Sequence, residues 1–242
     1  MQEFVFTVRY EPESDPIADI FIEYPDVVMT LTSLSASVPN ESIWHFNHIT
    51  GPEEALAKLD DIFLDPTHCN ECLDATVCPS TWSYELLSNS PTSRTVYAYG
   101  TDGKNCHSIP MLATAHLGDG LLYDAKRQGN EYRWRLLVPE DAQIGSLYDT
   151  LRADLKDGVS LDFEHLTGVT QWAQSGISLA DLPYEQRTIL TEAVERGYYE
   201  TPRAITTQEL ATELDIPQST VQYRLSRAEA ALATEFAAEL TQ

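Results

Sequence analysis

The hydrophobic period of this chain changes near residue 180. From Leu179 to Leu240 the apolar residues recur only at helical spacing, three and four apart. Upstream, short stretches with the two-residue period of strands alternate with short helical ones. The change predicts two units of different class. Residues 1–166 read as an α+β region, a sheet with short helices, and residues 181–242 as an all-α domain. Residues 167–180, with Gly168, Gly176 and several polar side chains, read as the connector.

In the first unit, strands are expected at Phe4–Tyr10, Val27–Val38, Ile43–Ile49, Arg94–Tyr99, Tyr132–Val138 and Val159–Leu166, all rich in β-branched and aromatic residues. Helices are expected from Asp15-Pro16, where proline costs no hydrogen bond, over Glu53–Leu59, and over Ile144–Leu155 with Leu147, Leu151 and Leu155 on one face. The order strand–helix–strand fits one sheet with helices on one side. No short repeat is visible, and the order leaves room for two distant structural copies.

In the second unit, Pro183 opens a helix whose apolar stripe is Ile189, Leu190, Ala193 and Val194, and Gly197 is placed to cap it in the left-handed region. Thr206-Thr207-Gln208-Glu209 is a capping box. It starts a short helix with Leu210, Ala211 and Leu214 inward, which Asp215-Ile216 ends. A third helix follows from Pro217 or Gln218, with Val221, Leu225, Ala228 and Leu232 inward. A short helix, a tight turn and a second helix with polar outer residues form a helix-turn-helix.

Charge sharpens that reading. The chain has 38 acidic and 15 basic residues, net −23, and only four of its cations are lysine. A protein that coats nucleic acid or an anionic membrane without specificity is excluded by such a balance. Yet Ile216–Ala228 contains no acid and two arginines, while residues 180–242 as a whole carry 11 acids against 5 arginines. The positive charge is confined to one helix, beside side chains that hydrogen-bond phosphates and base edges. Gln218, Ser219, Gln222 and Tyr223 are the candidates for base-edge contacts. Arg203, Arg224 and Arg227 are the candidates for phosphate or guanine contacts. One such helix buries little surface, so a homodimer on paired half-sites of double-stranded DNA is expected. No run approaches the ~18 apolar residues of a membrane span, and Met1–Tyr10 lacks the features of a signal peptide. The expectation is a soluble cytoplasmic protein. Acid excess with few lysines and a normal apolar content is what solubility in a very salty cytoplasm demands.

Residues Leu190–Arg203, with the string Gly197-Tyr198-Tyr199-Glu200-Thr201-Pro202-Arg203, together with Glu209-Leu210-Ala211, Ser219-Thr220-Val221 and Arg227-Ala228-Glu229, carry a family resemblance. They are similar to the helix-turn-helix of haloarchaeal regulators of the bacterio-opsin-activator type. Arg133–Leu137 ahead of a helix and a strand resembles the associated α+β domain. Two departures stand out. Pro217 replaces the serine that commonly starts the recognition helix, and Ser226 replaces the first of two adjacent arginines; both bear on sequence preference. The resemblance implies a transcriptional regulator, an activator that works with the transcription machinery.

The four cysteines fall as Cys69-x2-Cys72-x5-Cys78 and then Cys106, with His68 and His107 flanking the run of 68–107 as alternate ligands. The two-residue spacing lets Cys69 and Cys72 face one ion from a tight turn. Soft ligands in a cytosolic protein suit zinc, Cu⁺ or an iron–sulfur cluster better than a disulfide framework. A metal-free thiol switch and thiols without a special role stand beside that reading. The acids Asp65, Glu71 and Asp74 argue against the switch by raising thiol pKa values. A redox-responsive site suits control of anaerobic respiration genes, such as dimethyl sulfoxide reductase; metal homeostasis is the other signal considered. Two rivals come from other classes: an enzyme using Cys106 and His107, which nothing else in the chain supports, and a metal-binding adaptor that touches protein rather than DNA. His45, His48, His116 and His165 read as residues in or beside strands.

Overall fold

A computed structural model describes residues 1–73, 78, 80–103, 106–153, 155–169 and 182–240, with backbone alone at 32 and 235–240. Two compact units divide at Met1–Gln174 and Ser175–Gln242. From residue 170 the expected connector lies outside the described residues.

The first unit runs β1 (Gln2–Tyr10), α1 (Pro16–Glu23), β2 (Val28–Ser37), β3 (Ser42–Thr50), α2 (Glu53–Phe63), β4 (Thr81–Ser90), β5 (Ser93–Thr101), α3 (Ile109–Leu117), β6 (Leu122–Gln128), β7 (Glu131–Val138), α4 (Ile144–Ala153) and β8 (Val159–Gly168). All eight strands form one antiparallel sheet in the order β4-β5-β3-β2-β6-β7-β1-β8. Each half, β1–β4 and β5–β8, is a strand–helix–strand–strand–helix–strand unit. The order reads the same from either edge once β1 answers to β5, β2 to β6, β3 to β7 and β4 to β8. The two copies have therefore traded their first strands: β5 lies between β4 and β3, and β1 between β8 and β7. Helix packing obeys the same relation, since α1 packs on α2 and α3 on α4.

The helices cover one face, and strand alternation decides what they cover. On β3, Ile43, His45, Asn47 and Ile49 are buried beneath them, while Trp44, Phe46 and His48 point the other way. Phe4, Phe6, Trp134, Leu136 and Phe21 fill the core of the other half. Local signals set the helix ends. Asp15 caps α1 by accepting from the Ala18 N–H at 2.8 Å, with Pro16 in the first turn. Gly51 ahead of α2 is needed for space, because a Cβ there would stand 2.8 Å from Val27 Cγ2.

Several expectations change. Helix α2 continues four residues past Leu59, and α4 ends two before Leu155, residue 154 lying outside the described residues. Strands β4 and β6 and helix α3 had no sequence assignment. His116 is on α3 rather than in or beside a strand. His45 is fully buried, and burial pushes its imidazole down to about 4.

Among the described residues the second unit is three helices: α5 (Tyr184–Glu195), α6 (Thr207–Glu213) and α7 (Gln218–Leu240). Its core is Ile189, Ala193, Ile205, Leu210, Ala211, Val221 and Leu225. Val194, assigned to the stripe of α5, is 59% exposed, and Leu232, assigned inward on α7, is 39% exposed. The core is one short helix deep, so it closes at Ala228 and α7 runs on beyond it.

Candidate DNA interface and thiol site

Helix α7 is positioned by the two helices before it. At Thr206 the capping box is complete: Thr206 Oγ1 accepts from the Glu209 N–H at 3.2 Å, and Glu209 accepts from the Thr206 N–H at 2.8 Å. Gly197 takes φ +74° after α5, and the Tyr198 N–H reaches Ala193 O at 2.8 Å. The Tyr199 hydroxyl donates to Glu229 at 2.8 Å and ties this turn to α7, a contact that sequence reasoning did not foresee. Buried Val221, Leu225 and Ala228 fix the rotation of α7. They leave Gln218, Ser219, Gln222, Tyr223 and Arg227 exposed and Arg224 half-buried, all on one continuous helix.

The five arginines of this unit separate into two groups. Arg187 is buried against Tyr184, and Arg196 is held by Glu192 and Glu213. Arg224 and Arg227 pair with no acid among the described residues, and exposed Arg203 lies over the Tyr198 ring at 4.3 Å. The three arginines singled out from the sequence are thus the ones without an ion pair among the described residues.

The thiols lie in the first unit. Cys69, Cys72 and Cys78 come from the α2–β4 loop and Cys106 from the β5–α3 loop. The sulfurs of Cys69, Cys78 and Cys106 lie within 4.8 Å of one another. Cys72 hydrogen-bonds into the same set, to Cys69 and Cys78. Neither His68 nor His107 belongs to the converging group. The loop is fastened from several sides. Tyr84 Oη donates to His68 O at 2.9 Å, and Asn70 Nδ2 to Phe63 O at 2.8 Å. The Leu73 N–H reaches His107 O at 3.2 Å, and the Lys156 N–H reaches Leu73 O at 3.0 Å.

Neighbouring thiols, more than nearby acids, govern the proton balance here. Hydrogen bonds from Cys106, Cys69 and Cys72 hold the Cys78 thiol far down. Hydrogen bonds to Cys106, Cys72 and Cys78, then burial, push Cys69 far up. Close-packed thiols shift one another in opposite directions, and an ion bound among them would displace their protons. Asp74 lies outside the described residues. Glu71 is turned inward, where burial pushes its carboxyl up to about 7 and the Tyr132 hydroxyl donates to it at 3.4 Å. Ser108, accepting from Cys106 at 3.3 Å, is a supporting residue that the cysteine spacing did not reveal.

Comparison with known proteins agrees with both units. The HVO_2928 N-terminal family model matches residues 3–172, and the model described as a helix-turn-helix DNA binding domain matches residues 182–234. The chain belongs to the HVO_2928 N-terminal family, and its second unit carries a helix-turn-helix domain of the bacterio-opsin-activator type. A curated relative is similar to it: the dimethyl sulfoxide reductase transcriptional activator of Halobacterium salinarum is 39% identical over 100 residues. That match covers 38% of this chain and 45% of the relative. The family places a DNA-binding domain on α5–α7. Among the described residues no helix is long and apolar enough to cross a membrane.

Proposed function

We propose that this protein is a cytoplasmic, DNA-binding transcriptional activator that reads paired half-sites as a homodimer and acts on the transcription machinery. The carrying observation is α7: an acid-free first half, with no ion pair to Arg224 or Arg227 among the described residues, on a chain of net charge −23. Gln218, Ser219, Gln222 and Tyr223 face base edges, and Arg203, Arg224 and Arg227 take phosphate or guanine. In concentrated salt, counterion release contributes little, so specificity rests on these few contacts. The named role of the Halobacterium relative supports genes of anaerobic respiration, such as dimethyl sulfoxide reductase, as the target class.

Residues 1–166 act as the sensor through the thiol site. A single tetrahedral ion at about 2.3 Å from each sulfur sets the sulfurs about 3.8 Å apart. The observed 4.8 Å limit suits such an ion, zinc foremost, better than an iron–sulfur cluster, whose thiolates sit on different irons. Cys69, Cys72, Cys78 and Cys106 would hold it; the ion supplies a cross-link that ties the two loops together.

The DNA reading is tested by mobility shift of the full chain on the promoter region of a dimethyl sulfoxide reductase gene in high salt. Arg224→Ala and Arg227→Ala should each weaken specific binding by roughly tenfold or more. Unchanged binding by both variants would remove α7 as the reading helix, and a wild type that binds no DNA would overturn the reading in favour of a metal-binding adaptor. Anaerobic purification with metal analysis tests the site. About one zinc in a colourless protein is expected; a brown, iron-containing protein overturns zinc, and a metal-free protein with four free thiols overturns any ion.

A further inference from the structure

The two halves of the sheet differ on the face away from the helices. On the β6-β7-β1-β8 side that face is a lattice of ion pairs. Arg133 pairs with Glu164 at 2.9 Å, Arg135 with Glu3 at 2.7 Å and Asp124 at 2.9 Å, and Arg9 with Asp162 and Glu131. On the β4-β5-β3-β2 side, Trp44 and Phe46 meet edge to face at 5.9 Å, and Phe46 and Tyr97 lie 5.1 Å apart. Register places Ser33 opposite Phe46 and Ser35 opposite Trp44, with Tyr99 across from Trp44 on the other flank. Tyr99 is 39% exposed, and Ser33 and Ser35 are exposed. Among the open-face positions of these four strands, Glu85 is the one ionisable acid.

We propose that this aromatic, nearly acid-free face is the surface on which a second copy of the chain docks, giving a two-fold dimer with the aromatic halves of the two sheets face to face. The inference deepens the proposed function and rests on it in one respect: paired half-sites call for two copies. Charge selects the occupant. Two copies each carrying −23 must bury little acid where they meet, because every buried unpaired carboxylate costs desolvation and repels its mate. The aromatic half-face meets that condition, whereas the ion-pair half would bury the eight charged groups of its pairs. Tyr, Trp and Phe with depleted charge is the composition of interface centres. A self-complementary patch closes a two-fold dimer without open-ended growth. A single-stranded nucleic acid would also stack on aromatic rings, but its backbone needs cations that this face lacks.

Sedimentation velocity on the full chain without DNA, in high salt, tests the proposal. The wild type should sediment at twice the chain mass. Ser35→Glu and Tyr99→Glu, at exposed positions, should raise the dimer dissociation constant about tenfold or more while circular dichroism stays unchanged. Ser160→Glu, on the open face of β8, should leave it unaltered. A monomeric wild type, or a dimer indifferent to both aromatic-face variants, overturns the proposal; so does a wild type that binds single-stranded oligonucleotide through this face. Since no DNA enters the experiment, a dimer that fails to bind its promoter would sink the DNA reading alone. A monomer that binds it would sink the dimer face alone.

Discussion

Two corners of the sheet occupy matching places in the exchanged repeat and hold opposite chemistry. At one, the α2–β4 and β5–α3 loops bring together Cys69, Cys72, Cys78 and Cys106. At the other, the α4–β8 and β1–α1 loops bring together Lys156 and Asp15, 2.6 Å apart, with Arg127 on the same carboxylate at 3.2 Å. Burial alone would raise the Asp15 carboxyl, but Arg127 and Lys156 hold it below the usual carboxylate range. The Arg127 guanidinium lies over the rings of Tyr10 and Phe21 at 4.6 and 5.1 Å. One corner is closed by its own charges. The other closes through soft sulfurs that share protons or take an ion. The lesson is that a duplicated frame supplies equivalent loop corners, and side-chain chemistry decides which becomes a site and which a fastening.

The sharpest way to break this comparison is to remove the ion proposed for the thiol corner. Chelation, or Cys106→Ser, should destabilise the first unit by about 5 kcal/mol or more, read from denaturant midpoints. An effect below about 1 kcal/mol would mean that the thiol corner bears no more stress than an ordinary loop. Next comes the closed corner. Asp15→Ala leaves Arg127 and Lys156 without their carboxylate and should cost about 3–5 kcal/mol; a cost near zero would show that this corner is not fastened by charge.

The third test uses His45, buried in the thiol half. The unfolded chain binds a proton near pH 6.5, whereas the buried ring binds one only near 4. Between these values the unfolded state holds more protons, so the stability contribution is whole above about pH 6.5 and falls as pH drops, by about 3 kcal/mol near pH 4. Denaturant titrations across that range should show the slope, and His45→Gln should flatten it. The smallest effect is expected on the ion-pair face. Arg133→Gln breaks a pair in which both partners are partly solvated, and the unfolding midpoint should move by at most about 1 kcal/mol, less in high salt.

Much of the helix-turn-helix was legible because its signals are local. A capping box, a glycine in the left-handed region and residues three and four apart act within a few turns of chain, and Thr206, Gly197 and Val221 do what their positions foretold. Local rules also gave six of the eight strands. The misses have physical causes. On β6 the buried positions are Ala125 and Arg127, and a buried arginine breaks the apolar alternation that marks a strand. On β4 the inward residues Trp82, Tyr84 and Leu86 do alternate, but serines and the irregular cysteine loop before them hid the pattern. Helix α3 begins at Ile109-Pro110, directly after the Cys106-His107 turn, and its weak amphipathicity gave no stripe to follow.

The sequence by itself determined the two classes of unit, the acid-free helix, and a cysteine set of one chemical kind, because period, capping and composition are properties of neighbouring residues. Tertiary structure alone decided that β1 and β5 change places, that Cys106 reaches the loop 28 residues before it, and that aromatic and ionic residues sort onto separate halves of one face. Those outcomes depend on which strands pair across long separations. Pairing is settled by the packing of whole faces against helices, a sum over distant residues that no short window of sequence contains.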